Sequence, residues 1–150
     1  MYKRIHVPVD DSETSRQALL ETTKFCCDQC AKTRLVHVVD LAQFTWGGAE
    51  FVDVGELQSN LRETGNKVLE SAASLMRENG VEVETALIEI WGGHIANAII
   101  EDARRWPADI IVMGSHGWTG LDHLLLGSVA EGVVRHAPLP VLIFPIKRKK

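Results

Sequence analysis

The sequence predicts an α/β fold in which a parallel sheet is covered by helices on both faces. Three observations lead there. Five short apolar runs alternate with longer stretches of helical periodicity, the pattern of repeated strand–helix–strand units. The runs end abruptly in polar or small residues, at Asp10, Asp40 and Gly114. Finally, 150 residues with 45% hydrophobic and 24% charged content suit one soluble domain, residues 1–150, with a core of its own.

The first strand is read at Arg4–Asp10, where Ile5, Val7 and Val9 share one face. Asp11 and Ser12 can cap the helix that follows, Glu13 to about Ala31, whose Ala18, Leu19, Thr22 and Cys26 recur at helical spacing. A second strand, Arg34–Asp40, leads into a loop with apolar side chains, Leu41–Gly55, suited to folding over a site or a partner. A long helix from about Glu56 to Asn79 stops at Gly80, a natural C-terminal cap. The third strand is Val81–Ile90. Gly92 and Gly93 then turn the chain into a helix from about His94 to Trp106, which Pro107 ends. Ile110–Met113 is the fourth strand, and Pro138 and Pro140 bracket the return to the fifth, Val141–Pro145.

Other features carry less. Cys26, Cys27 and Cys30 include a C-x-x-C pair, but it falls late in a helix, where no N-terminal dipole lowers a thiol pKa, and only His37 could join a zinc set. Reduced, partly buried thiols are expected. His6 and His37 fall mid-strand and read as structural. His136 sits near a helix end that favours a cation. Trp46, Trp91 and Trp118 are scattered and form no motif. The net charge of −4 gives no general attraction to nucleic acid, the basic tail Lys147–Lys150 reads as a solvated end, and no apolar run approaches the ~20 residues of a membrane span. The N-terminus has no apolar signal region, so a cytoplasmic protein is expected.

The stretch from Asp109 to Ser128 concentrates the chemistry. A strand runs into Gly114-Ser115-His116-Gly117, and ten residues on Gly127-Ser128 opens a new helix, with Ser128 and Glu131 at the spacing of a capping box. Glycines that admit backbone N–H groups, followed by a helix N-terminus, suit a phosphate. Taken singly, each residue has a plainer reading: Asp10 begins a turn, Gly114 and Gly117 relieve strain, Ser128 caps a helix.

The glycines read G-x2-G-x9-G-S, which resembles the nucleotide-binding signature of the universal stress protein family, and Pro8-Val9-Asp10 and Pro140-Val141-Leu142 extend the resemblance over nearly the whole chain. The resemblance implies a doubly wound, Rossmann-like sheet of the adenine nucleotide alpha hydrolase type, in strand order 3-2-1-4-5. A ligand would then sit where the order reverses, beyond the ends of strands one and four. It implies ATP or AMP as ligand, with Mg2+ or Mn2+ on the phosphates as an option. Pro8, Val9 and Asp10 would lie against adenine and ribose, and Val38 on the base. Gly114, Gly117, Gly127, Ser128 and Val129 would offer backbone N–H groups, with the Ser128 hydroxyl, to ribose and phosphates, and Met113 and His116 would join the same site. It also implies a homodimer through the last strand, Val141, Leu142, Ile143 and Phe144, with one alternating set facing the home core and the other a partner.

Position 118, often basic in the family, is Trp118, and no lysine or arginine lies between Arg105 and Arg135. The chain has no G-x-x-x-x-G-K-[ST] and no S-G-G-x-D-S after the first strand. Asp10 and Asp40 remain as a pair that could hold a metal and water. The expected function is therefore a nucleotide-dependent regulatory module of stress responses, changing its contacts with an unknown protein partner. A weak ATPase or phosphotransfer enzyme, and a nucleotide-free dimeric adaptor, stand as alternatives.

Overall fold

The structure, a computed structural model, describes residues 1–44, 53–115 and 126–145. His116, Gly117, Trp46, Trp118, His123 and the basic tail lie outside the described residues. The elements alternate as the apolar runs predict: β1 (Arg4–Pro8), α1 (Glu13–Gln29), β2 (Lys32–Asp40), a 3-10 turn (Leu41–Phe44), α2 (Val54–Glu78), β3 (Glu82–Ile90), α3 (Ile95–Arg105), β4 (Ile110–Gly114), α4 (Ser128–His136) and β5 (Val141–Phe144). The sheet is parallel in order β3-β2-β1-β4-β5.

Alternation along each strand divides the core into two layers. Ile5, Val7, Ile110 and Val112 face one side, where Leu19 and Cys26 of α1 and Leu69, Ala73 and Met76 of α2 cover them. Ile111 and Met113 face the other, against Ala96, Ile99 and Ala103 of α3 and Ala130 and Val133 of α4. In β5, Leu142 and Phe144 join the first layer and Val141 and Ile143 the second. Both alternating sets thus pack within the chain, each side chain half-buried, because helices cover both faces even at this edge strand. The home core takes part of both sets, where the expectation gave it one.

Boundaries shift by one or two residues for local reasons. β1 ends at Pro8, not Asp10, because Asp10 turns the chain: its Oδ1 accepts from Ser12 N at 2.8 Å and its N–H donates to Ser15 Oγ at 3.0 Å. α1 is capped by Ser12, whose Oγ accepts from Ser15 N. It stops at Gln29 because Cys30 takes a left-handed conformation, φ 50°. α2 ends with the same pair of C-terminal hydrogen bonds, but there the left-handed residue is Gly80, φ 83°, which lacks the Cβ that opposes such angles. Cys26 is buried, and burial pushes its thiol up to about 11, while Cys27 and Cys30 are exposed rather than partly buried. Among the described residues no helix is long and apolar enough to cross a membrane.

Candidate functional site

A cleft opens beyond the C-terminal ends of β1 and β4, where the strand order reverses. One wall is the end of β1: Pro8, the buried Val9 and the half-exposed Asp10. Val38 of β2 lies on the α3 side of the sheet, packed against the second core layer, and lines the cleft beside Ile95 and Ile99 of α3. The opposite wall is Met113 and Gly114, the last residues of β4, with Val129 and Ala130 from the first turn of α4. Six of the sequence-predicted residues, Pro8, Val9, Asp10, Val38, Met113 and Gly114, therefore meet in one place, and Val129 joins them from the helix.

The start of α4 is held to the end of β4. Gly127 N–H donates to Ser115 O at 2.8 Å. The expected capping box does not form. Gly127 is the N-cap, Ser128 is already the first helical residue and exposed, and Glu131 lies one position too far along to reach back; it pairs with Arg135 instead, 2.9 Å. Among the described residues no side chain caps α4, so its first-turn N–H groups, which lack intrahelical partners, remain for another acceptor. Gly127 itself has φ −60° and ψ 160°, which any residue can adopt, and Gly114 is not among the glycines with positive φ. Relief of backbone strain thus explains neither glycine.

Among the described residues the lining is mostly apolar, with Asp10, Ser15 and His37 as its polar side chains and no lysine or arginine. Asp10 accepts one hydrogen bond among the described residues, from Ser12 N, which leaves acceptor capacity toward the cleft. Asp40 is not among the described lining residues: its Oδ1 accepts from Ala42 N and Gly92 N, both at 2.9 Å, and so ties the ends of β2 and β3. Among the described residues no group of three or more metal-ligating side chains is found.

Sequence reasoning missed several residues here. Ser15 and His37 join Asp10 as polar lining. Ile95 and Ile99 supply the apolar wall, and their i, i+4 spacing on α3 was the available signal. A second polar cluster lies deeper on the same side of the sheet. Fully buried His6 has Nε2 at 2.8 Å from Asp102 Oδ2, and Arg34 grips that carboxylate through Nε at 2.9 Å and Nη2 at 3.0 Å. Arg34 also reaches Glu84 at 3.0 Å. Burial keeps His6 below its ordinary pKa. Burial alone would raise Asp102, yet the hydrogen bonds from His6 and Arg34 prevail and hold its carboxyl far below the usual range. The two directions agree if a neutral ring donates Nε2–H to an ionised carboxylate.

Comparison with known proteins fits this architecture. The family model described as "Universal stress protein family" matches residues 1–145. A universal stress protein of Methanocaldococcus jannaschii is 37% identical over 151 residues, covering 100% of this chain and 86% of the relative. The crystal structure of a universal stress protein family member from Burkholderia pseudomallei superposes with TM-score 0.78 at 32% identity, covering 97% of each chain. A universal stress protein family protein from Arabidopsis thaliana, solved with AMP bound, shares the fold with TM-score 0.68 at 22% identity, over 97% of this chain and 92% of that one.

Proposed function

The chain belongs to the universal stress protein family, and from that premise we propose that it is an adenine-nucleotide-binding regulatory module whose partner contacts change with occupancy of the cleft. The observation that carries this reading is the meeting of the β1 end, the β4 end and the uncapped start of α4 around one apolar crevice. Flat, apolar adenine suits the wall of Val38, Ile95 and Ile99. Asp10 would accept from ribose hydroxyls. The first-turn N–H groups of Ser128 and Val129, with the helix dipole, would take the phosphate, and the family signature adds His116 and Gly117 on that side. The AMP bound by the Arabidopsis thaliana protein supports the ligand class.

The absence of lysine and arginine from the lining bears on which nucleotide fits. Phosphate charge would be offset by backbone N–H groups, by His116 or His123, and by a magnesium or manganese ion carried with the nucleotide. AMP should therefore bind at least as tightly as ATP without a divalent ion, and magnesium should improve ATP selectively. Mass spectrometry of denatured, freshly purified protein, followed by calorimetry with AMP and ATP with and without magnesium, tests this. No co-purified nucleotide and no heat with either ligand would remove the reading.

β5 is an edge strand, and its free side can pair antiparallel with a second copy. We take a homodimer through Val141, Leu142, Ile143 and Phe144 as the assembly, and the cytoplasm as its location. Sedimentation of wild type and Ile143→Pro tests the assembly, because proline removes an edge donor; a variant that dimerises as well as wild type would exclude this strand.

A further inference from the structure

We propose that His37 is a positioning residue for the cleft: seated in a notch of α2 at Gly65, its ring holds the Val9 carbonyl and thereby fixes the backbone that presents Asp10. This inference rests on the nucleotide reading above for its consequence, but its geometry is independent of any ligand. His37 lies on β2, 8% exposed, with Nδ1 at 2.8 Å from Val9 O. A carbonyl oxygen can only accept, so Nδ1 carries the proton, and the tautomer is set by this bond.

Val9 lies one residue past the paired stretch of β1, Arg4–Pro8 against Lys32–Val36. Its N–H still donates to Val36 O at 2.8 Å. The His37 ring supplies the partner for its carbonyl, so β2 holds both polar groups of Val9. The next residue is Asp10, whose N–H goes to Ser15 Oγ and whose Oδ1 takes Ser12 N. Val9 is thus held on both its polar groups, and the peptide bond passes that constraint to Asp10, which has hydrogen bonds of its own to Ser15 and Ser12.

The ring needs room on the α2 side, and Gly65 supplies it. A Cβ at Gly65 would stand 2.9 Å from His37 Cδ2 and 2.7 Å from Leu87 Cδ1. Glycine in the interior of a 25-residue helix weakens that helix relative to alanine, so its presence beneath an imidazole indicates a fitted seat. A ring serving only as core filler would lower overall stability when replaced, without singling out the turn after β1.

The experiment compares His37→Leu, which fills the seat without a donor, with His37→Asn, whose side-chain amide restores one near the Nδ1 position. Amide hydrogen exchange is read at Val9, Asp10 and Ser12, with Ile111 and Val112 of β4 as controls, and AMP affinity is measured by calorimetry. In His37→Leu the three amides should exchange faster by about tenfold or more while the controls stay protected, and AMP should bind about tenfold more weakly. His37→Asn should recover most of both. Unchanged exchange at Asp10 and Ser12 in His37→Leu, or AMP affinity in His37→Leu equal to that of a wild type that binds AMP, overturns the inference. If wild type binds no AMP, the nucleotide reading fails, and the exchange data still decide whether His37 orders the turn. Should His37→Leu not fold, His37→Phe, which keeps a ring in the seat but has no donor, carries the same measurement and the same overturning result.

Discussion

Two aspartates, Asp10 and Asp102, stand on the same sheet system and have opposite surroundings. Asp102, late in α3, receives three hydrogen bonds from His6 and Arg34, and its side chain is 15% exposed. Asp10, just beyond β1, receives one among the described residues and stays half-exposed at the cleft. A carboxylate whose acceptor sites are filled by the fold is part of the fold, whereas one with spare lone pairs beside an apolar wall is available to a ligand. The strands supply both settings within a few residues: His6 faces α3 from the middle of β1, and Asp10 follows four positions later, where the ladder has ended.

The largest expected effect is at the filled site. Asp102→Ala leaves buried His6 and the guanidinium of Arg34 without their shared acceptor and should lower unfolding free energy by roughly 3 kcal/mol, read by urea denaturation. A loss below ~1 kcal/mol, the scale of an exposed ion pair, would mean that the cluster is not the structural element its burial indicates.

Acid should reveal the same cluster. His6 has its folded pKa depressed below 6.5 and Asp102 below 3.8. For each, the unfolded chain binds protons more readily, so the stabilising contribution is complete above those values and is lost as pH falls. Urea midpoints should decline first as pH drops below 6.5, through His6, and again below 3.8, through Asp102. His6→Asn should abolish the first decline; its persistence would assign it elsewhere.

At the open site the ordering reverses. Asp10→Ala should weaken AMP binding by about 1.5–3 kcal/mol, the range for a hydrogen bond to a charged group, while stability changes far less than in Asp102→Ala. Calorimetry and urea denaturation on the same two variants complete the comparison. A stability loss at Asp10 equal to that at Asp102 would erase the distinction.

The cleft was more legible in the sequence than the cluster, and the reason is locality. Pro8-Val9-Asp10 and Met113-Gly114 are strand ends, marked by apolar runs stopping at polar or small residues, and a parallel sheet brings such ends together. His6, Arg34, Glu84 and Asp102 come from four elements, and nothing along the chain couples them until register is known. His37 was hidden in the same way: its partner is a main-chain carbonyl on the neighbouring strand, and its seat is an absent side chain at Gly65. The capping box at Ser128 failed for a different reason. The motif fixes only an i, i+3 spacing, and Gly127, tied back to Ser115, began the helix one residue earlier than that spacing requires.

The smallest expected effect separates what holds the Asp10 turn from what caps α1. Ser12 has two roles: its Oγ accepts from Ser15 N as the N-cap, and its backbone N–H donates to Asp10 Oδ1. Ser12→Ala removes the first, together with the hydroxyl's contact to Thr14 Oγ1 at 3.0 Å, and leaves the second. Stability should fall by about 1 kcal/mol, the usual value of an N-cap hydroxyl. The bond to Asp10 is made by the main chain, and Val9 remains held by Val36 and His37, so the carboxylate should keep its place. AMP affinity should then change by no more than about 0.5 kcal/mol, several-fold less than in Asp10→Ala. If Ser12→Ala weakens AMP as much as Asp10→Ala does, the carboxylate depends on the start of α1 for its position, and the cleft is built from that helix rather than from the strand ends.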